Sequence, residues 1–243
     1  MGGFVALLYG GICYLIFFAS FLYAIAFVEN LPVPKTIDSG VEGAFWPSLV
    51  IDLVVLGIFA VQHSVMARRG FKAVWTRIVP PAVERSTYVL FSSLALILIY
   101  WAWQPLLQPI WTVGDPLWAQ VLVGLSWIGW GMVLISTFLI NHFDLFGLRQ
   151  VYARFRNESV PQHEFQTPFF YKFVRHPIYL GFIVAFWATP AMTMGHLVFA
   201  IATTGYIFMG IFLEERDLVA YFGERYVVYR KRVWMILPLP PSG

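Results

Sequence analysis

The sequence predicts an all-α integral membrane protein with about six transmembrane helices, the last two forming a short hairpin, followed by a cytoplasmic C-terminal helical segment. Composition is the first reason. Of the 243 residues, 59% are hydrophobic and only 12% are charged, whereas a soluble domain carries about 25% charged residues. The second reason is the distribution of basic residues, which collect in the segments that a six-helix topology places on one side of the membrane.

Six apolar runs have the composition of membrane helices, which need roughly 20 apolar residues to cross a hydrocarbon core of about 30 Å. The runs are residues 4–28, 46–66, 88–103, 117–140, 178–194 and 196–213. The first run is long and has no basic leader, so we expect no cleavable signal peptide. The last two runs are shorter, and we predict that a tight turn at Gly195 joins them into a hairpin that barely crosses the bilayer.

The positions of Lys and Arg predict the orientation. With the N-terminus in the cytoplasm, the inside segments are residues 67–87, 141–177 and 214–243, and they contain 15 of the 16 basic residues. Only Lys35 lies outside. The positive-inside rule predicts this partition for a correct topology. We therefore expect both termini and the functional groups on the cytoplasmic side, and we attribute the formal charge of +3 to topology and not to a nucleic-acid partner.

No linker or change of composition divides the chain, so residues 1–243 are predicted to be a single membrane domain with the lipid bilayer as its partner. Within it, residues 1–140 form a four-helix membrane part and residues 141–243 a functional part. The one cysteine, Cys13, lies in an apolar run, which excludes a disulfide framework. No spacing of His, Cys and Asp resembles a zinc site, so no metal is expected. The sequence carries no signal for an oligomeric state.

Polar residues open the predicted hairpin. Pro177 suits the first position of a helix, and the free N–H groups of such a helix attract an anion. Arg175 directly precedes it and strengthens this attraction. His176 and Tyr179 are three positions apart and share a helix face. The alternative interpretation is an interfacial belt of Arg, His and Tyr, which is common at membrane helix ends.

An acidic pair, Glu214 and Glu215, closes the predicted hairpin. Such a pair at the end of a membrane helix is costly and, when buried, usually functional; the alternative is a solvated pair bonded to Arg216. The hairpin should bring these carboxylates near His176 and Tyr179. An anion-attracting helix end beside two carboxylates suits a zwitterion such as the amino-acid moiety of a nucleoside sulfonium, whose positive sulfur aromatic rings could contact by cation–π interaction.

These residues resemble a known family. The order Arg175-His176-Pro177-x-Tyr179-x-Gly181, then Glu214-Glu215, then Phe222-Gly223-x-x-Tyr226-x-x-Tyr229 is similar to the C-terminal signature of the isoprenylcysteine carboxyl methyltransferase and phospholipid methyltransferase superfamily. The resemblance covers roughly residues 140–238. It implies an S-adenosylmethionine site completed by the C-terminal segment. The cofactor contacts expected on this basis are Arg175, His176, Tyr179, Leu180, Gly181, Glu214, Glu215 and Tyr229. Gln150 is a further candidate for a contact with the cofactor; its alternative roles are a contact with neighbouring acids or an interfacial position.

A second polar group follows the fourth apolar run, at residues 141–150, and includes Asn141, His142 and Asp144. Together with Gln62-His63-Ser64, it resembles the branch of the superfamily that contains the bacterial methanethiol S-methyltransferases. This resemblance implies methyl transfer from S-adenosylmethionine to a small thiol, most simply methanethiol to dimethyl sulfide. It also implies a bacterial inner membrane with the active site toward the cytoplasm.

The thiolate is the reactive form of a thiol, so this reaction needs a base. His142 is the candidate because its ordinary pKa of about 6.5 keeps it largely neutral at pH 7. Asp144 could orient it, as carboxylates do for catalytic histidines, and His63 is a further candidate. The alternative roles are a helix cap with a turn for His142 and Asp144, and a hydrogen bond between helices for His63.

Other functions stay open at this point. A methyltransferase of the same superfamily acting on a lipid headgroup or a prenylated cysteine would need an opening between helices for its long acceptor. The NnrU-like membrane proteins share the Gln-His-Ser type of motif, and in a haem-binding relative His63 and His142 would be the ligands. The signature over residues 175–229 argues against haem. A membrane scaffold would leave Glu214 and Glu215 unexplained.

Overall fold

The computed structural model describes residues 1–160 and 165–237. Residues 161–164 of the second predicted inside segment and residues 238–243 of the third lie outside the described residues. The described part forms, in chain order, α1 (Gly3–Val28), α2 (Phe45–Ala67), α3 (Arg69–Trp75), α4 (Pro81–Ala102), β1 (Pro109–Thr112), α5 (Pro116–Ile140), α6 (His142–Leu145), α7 (Leu148–Arg156), a 3₁₀ helix (Phe169–Lys172), α8 (Pro177–Trp187), β2 (Ala191–Thr193), α9 (Met194–Phe222) and α10 (Glu224–Arg232).

Five of these helices are long and apolar enough to cross a membrane: α1, α2, α4, α5 and α9. The predicted all-α membrane fold is confirmed. The remaining apolar helix, α8, has 11 residues and is about 16 Å long at 1.5 Å per residue. That is roughly half of a hydrocarbon core of about 30 Å. The first arm of the predicted hairpin is therefore a half-length helix.

The predicted junction at Gly195 is wrong. The helix α8 ends at Trp187, because Thr189 precedes Pro190 and a residue before proline disfavours helical geometry. The chain then forms β2, which pairs antiparallel with β1. Gly195 lies in the first turn of α9, and its N–H donates to the carbonyl oxygen of Leu106 at 2.9 Å.

The second arm of the hairpin is longer than predicted. It continues past residue 213 as the 29-residue helix α9, so Glu214 and Glu215 lie inside a helix and not at its end. The following residues are mostly good helix formers, which explains the two extra turns. Gly223 ends α9 with a φ of +59°, a left-handed value that glycine adopts without steric cost.

The helices form two compact units. One contains α1 to α4, α6, α7 and the first three residues of α9; the other contains β1, α5, the 3₁₀ helix, α8, β2, the rest of α9, and α10. We refer to them as the first and second unit. The division by function at residues 140 and 141 remains a prediction. In the first unit, α1 packs against α4 and α7, and α2 packs against α4.

In the second unit, α5 and α8 cross at a pair of glycines. A Cβ on Gly181 would lie 2.7 Å from the carbonyl oxygen of Gly129, and a Cβ on Gly129 would lie 2.6 Å from that of Gly181. The two backbones can approach this closely only without side chains. Ser126 Oγ donates to the carbonyl oxygen of Ala185 at 2.9 Å across the same contact. This crossing holds α8, and with it the residues that open the helix.

Candidate active site

A buried ion-pair cluster lies at the N-terminus of α8 in the second unit. Arg175 Nε donates to Glu215 Oε1 at 2.6 Å, and His176 Nε2 lies 3.1 Å from the same oxygen. The Glu215 side chain is 12% exposed and that of His176 is 4% exposed. The two ends of the predicted hairpin thus meet as the sequence indicates. Glu215 serves as the counter-charge for residues that precede α8.

The neighbouring carboxylate has different surroundings. Tyr179 Oη donates to Glu214 Oε2 at 2.8 Å, and His176 Nδ1 lies 3.9 Å from that oxygen. The Glu214 side chain is 44% exposed. The contacts described for Glu215 are with the protein, whereas the more exposed Glu214 can still accept hydrogen bonds from a bound molecule. The predicted contacts of both acids with the cofactor remain predictions.

Arg175 also ties the C-terminal segment to the start of α8. Its guanidinium donates to the carbonyl oxygens of Arg230 and Val233. A backbone bridge joins Val174 to Trp234, and Arg175 N donates to the carbonyl oxygen of Trp234 at 2.8 Å. The contacts described for Arg175 are therefore contacts with the protein itself. Its predicted role in cofactor binding remains a prediction.

Two other predicted cofactor residues have packing contacts. Leu180 packs against the apolar cluster of Ile207, Ile211 and Ile236. Gly181 allows the close crossing of α8 with α5. Both residues position α8, and their predicted contacts with the cofactor remain predictions.

Three tyrosines surround the carboxylates. Tyr229 Oη donates to the carbonyl oxygen of Tyr171 at 2.6 Å, which joins α10 to the 3₁₀ helix. Tyr171 is 9% exposed and Tyr226 is 2% exposed. Neither of these two hydroxyls has a hydrogen-bond partner within the described part of the chain. Neither Tyr171 nor Tyr226 was among the predicted site residues, although Tyr226 belongs to the signature.

All three tyrosines keep their protons at neutral pH. Burial, and then the nearby Glu214, raise the pKa of Tyr171. Burial, and then Glu215, raise the pKa of Tyr226. Burial raises the pKa of Tyr229 to about 12. All three hydroxyls can therefore act as hydrogen-bond donors; that of Tyr229 already donates to the carbonyl oxygen of Tyr171, and those of Tyr171 and Tyr226 are available.

Aromatic rings complete this group. The ring of Phe165 lies 5.2 Å from that of Phe222, 6.0 Å from that of Tyr226 and 5.3 Å from that of Tyr229, centroid to centroid. Aromatic faces beside carboxylates attract cations. The residues present therefore fit a zwitterion with a positive sulfur, since the buried hydroxyls would also give its oxygen atoms donors. In residues 1–160 and 165–237, no group of three metal-binding side chains occurs.

In the first unit, His142 opens the short helix α6 and is buried, at 3% exposure. Its Nε2 lies 2.8 Å from Tyr14 Oη of α1, and its ring packs on Phe146 at 4.8 Å. Burial lowers the pKa of His142, so the imidazole is neutral at pH 7. Tyr14 was not among the predicted residues, because nothing in the apolar run around it distinguishes it as a site residue.

Asp144 and Gln150 form a pair in the same unit. Gln150 Nε2 donates to Asp144 Oδ1 at 2.9 Å and to the Asp144 carbonyl oxygen at 3.2 Å. Between them Gly147, with a φ of +87°, turns the chain from α6 into α7. A Cβ at this glycine would lie 2.6 Å from Ser86 Oγ. The described contacts give Gln150 a role in holding Asp144, and its predicted contact with the cofactor remains a prediction.

His63 lies in a hydrogen-bond network between α2 and α4. Its Nδ1 lies 3.0 Å from Ser92 Oγ, and its Nε2 lies 2.9 Å from Tyr88 Oη. Ser92 Oγ donates to the carbonyl oxygen of Tyr88 at 3.0 Å, so it accepts from Nδ1–H, and Nε2 then accepts from the tyrosine. Both ring nitrogens are engaged. This favours the helix–helix role of His63.

No protein-family model matches the chain, and no solved structure matches it. Comparison with curated proteins finds clear relatives. The chain is 56% identical over 235 residues to Methanethiol S-methyltransferase 1 of Bradyrhizobium diazoefficiens, covering 97% of this chain and 82% of that protein. It is 52% identical over 240 residues to the Methanethiol S-methyltransferase of Mycobacterium tuberculosis, covering 99% and 98%.

A more distant relative is Nurim of Rattus norvegicus, 30% identical over 184 residues, covering 70% of this chain and 68% of that protein. The predicted resemblance to the branch that contains the bacterial thiol methyltransferases is confirmed. From these matches over nearly its whole length, the chain belongs to the methanethiol S-methyltransferase family.

Proposed function

We propose that this membrane enzyme transfers the methyl group of S-adenosylmethionine to methanethiol, with the active site toward the cytoplasm of a bacterial cell. The observation that carries this proposal is the match of 52% identity over 99% of the chain to a relative named for that reaction. In the reaction the sulfur–methyl bond of the donor breaks and a bond from that methyl to the thiol sulfur forms. The products are dimethyl sulfide, S-adenosylhomocysteine and a proton.

The donor site is proposed at the cluster of α8, α9 and α10. When bound, S-adenosylmethionine would supply an electrophilic methyl group on a positive sulfur. Glu214, which is the more exposed of the two acids, would accept hydrogen bonds from the ammonium group. The N-terminus of α8 would attract the carboxylate. The rings of Phe165 and Tyr229 would face the positive charge.

His142 is the proposed proton acceptor for the thiol. A neutral imidazole can take a proton, and burial lowers the pKa of His142, which keeps it in that form. The hydrogen bond between Tyr14 Oη and Nε2 would hold the ring in one orientation. Asp144, held by Gln150, remains the proposed orienting carboxylate. Thiolate formation is the step that a base assists, because the thiolate and not the thiol is the nucleophile.

A headspace assay tests the proposal directly. Purified protein supplied with S-adenosylmethionine and methanethiol should release dimethyl sulfide, measured by gas chromatography, together with S-adenosylhomocysteine in equal amount. Heat-denatured protein serves as the control for spontaneous methylation. Protein that binds S-adenosylhomocysteine but releases no dimethyl sulfide would refute methanethiol as the acceptor and favour a lipid or prenylcysteine acceptor.

A further inference from the structure

Two buried hydroxyl groups stand out in the second unit. Tyr171 and Tyr226 are 9% and 2% exposed, and within the described part of the chain their hydroxyls have no hydrogen-bond partner. Tyr229, which lies in α10 with Tyr226, donates to a backbone carbonyl. Tyr179 donates to Glu214. The lack of a partner is therefore specific to two of the four tyrosines around the carboxylates.

A buried hydroxyl without a partner destabilises a fold, and nearly all buried polar groups in proteins are satisfied. A phenylalanine would fill the same space as each tyrosine without this penalty. A bound molecule that accepts from both hydroxyls would remove the penalty and gain affinity. The two tyrosines thus have the property expected of ligand-binding groups in a protein without its ligand.

The surroundings define the chemistry of that molecule. Glu214 lies close enough to Tyr171 to act on it electrostatically, and Glu215 does the same to Tyr226. The rings of Phe165 and Tyr229 border Tyr226. Carboxylates and aromatic faces select a positive charge, whereas protonated hydroxyls select acceptor atoms. A ligand with both features is a cationic or zwitterionic molecule rich in acceptor atoms.

We propose that Tyr171 and Tyr226 donate hydrogen bonds to acceptor atoms of the methyl donor and thereby contribute to its recognition. This inference rests on the proposed function for the identity of the donor. It adds two contacts to those predicted for the cofactor: Tyr171 on the 3₁₀ helix, which lies outside the signature, and Tyr226 on α10, which belongs to the signature but had no predicted role. Because Tyr229 joins these two elements, both hydroxyls are held by the same part of the unit.

The test uses Tyr171→Phe, Tyr226→Phe and the double variant in the full chain. Calorimetric affinity is measured for S-adenosylhomocysteine and for 5′-methylthioadenosine, which lacks the amino-acid moiety. Each single variant should bind S-adenosylhomocysteine about tenfold more weakly, as expected for loss of one hydrogen bond. If affinity is lost only for S-adenosylhomocysteine, the hydroxyl donates to the amino-acid moiety. If affinity is lost for both ligands, the hydroxyl donates to the nucleoside.

Thermal stability without ligand separates this role from a structural one. Because the hydroxyls are unpaired, both Tyr→Phe variants should unfold at the wild-type temperature or above it. Tyr100→Phe is the matched control, since Tyr100 is equally buried but donates to the carbonyl oxygen of Ser20 at 3.1 Å; this variant should unfold at a lower temperature and keep the wild-type affinity.

Two outcomes overturn the inference: unchanged affinity for both ligands, or ligand-free Phe variants that unfold at a clearly lower temperature. Wild-type protein that binds neither ligand would instead contradict the proposed methyl donor. The failure of the inference and the failure of the proposed function are therefore distinguishable.

Discussion

At the scale of single residues, the adjacent acids Glu214 and Glu215 show how position decides function. Successive residues of a helix point about 100° apart, so the two carboxylates face different neighbours. Glu215 meets Arg175 and His176, whereas Glu214 meets only the Tyr179 hydroxyl at hydrogen-bond distance among the contacts described for its carboxylate. We therefore expect Glu215 to contribute mainly to stability and Glu214 mainly to ligand binding.

Neutralising each acid should separate these roles. Glu215→Gln removes the counter-charge of a mostly buried Arg175, so we expect the free energy of unfolding to fall by about 2 kcal/mol. Glu214→Gln should leave stability within about 0.5 kcal/mol and weaken S-adenosylhomocysteine binding about tenfold. Thermal unfolding and calorimetry measure the two effects. Equal loss of stability in both variants would contradict the division of roles.

His142 is tested by turnover and by its pH dependence. His142→Ala should lower kcat about 100-fold or more, as for loss of a general base, with the affinity for S-adenosylhomocysteine unchanged. In the wild-type protein the pKa of His142 is lowered by burial, so the neutral base persists as the pH falls below the ordinary value of about 6.5. Activity should decline only below that pH. Wild-type turnover in His142→Ala would return this residue to a capping role.

At the scale of elements, the half-length helix α8 depends on its crossing with α5. No side chain separates Gly129 from Gly181, and the Trp130 ring packs edge-on against Phe182 and Phe186 beside them. The start of α8 carries His176 and adjoins the ion pair with Glu215. A change in the distance between α5 and α8 should therefore move the start of α8 and displace His176 in the candidate donor site.

Gly129→Ala tests this crossing against a control on the same helix. The added Cβ would lie 2.6 Å from the carbonyl oxygen of Gly181, and such overpacking costs about 1–3 kcal/mol. Gly131→Ala has no heavy atom of the described chain within 4 Å of its Cβ and should leave stability unchanged or slightly higher. Thermal unfolding compares the two variants. Equal effects would show that the close crossing is dispensable.

At the scale of the whole molecule, the strand pair bears on the expected number of membrane passes. The strand β1 precedes α5, and β2 follows α8; their pairing returns the chain to the edge where α5 begins. We therefore expect α8 and its extended continuation to complete one pass together. Five full-length helices and this composite segment would place both termini on the same side, as the positive-inside rule predicts.

Reporter fusions test the topology. A fluorescent protein that folds only in the cytoplasm, fused after Gly243, should fluoresce in cells. A periplasmic phosphatase inserted in the loop that contains β1 should be active. An active phosphatase fused after Gly243 would mean that α8 and its continuation do not cross, and would place the two termini on opposite sides.

Much of this architecture follows from residue patterns. Composition identifies the chain as a membrane protein, because a chain with 12% charged residues cannot cover a water-facing surface. Four of the five full-length helices coincide with apolar runs to within a few residues, apart from the start of α4. The order of His176, Tyr179 and the acidic pair indicated one site, and the structure brings these side chains into contact.

Other features depend on tertiary contacts that hydrophobic periodicity does not encode. An apolar run covers a half-length helix and a strand equally well. Pro190 marks a break in the run, but only the pairing of β1 with β2 shows that the residues after it form a strand. In the sequence, Gly181 is part of a signature; in the structure, its close contact with Gly129 of α5 shows that it has a packing role. The sequence by itself determined the membrane fold and the neighbourhood of the site. The tertiary structure decided which acid is paired with Arg175 and which is more exposed, and which tyrosine hydroxyls lack a partner within the described part of the chain. These features depend on distances between side chains far apart in the chain.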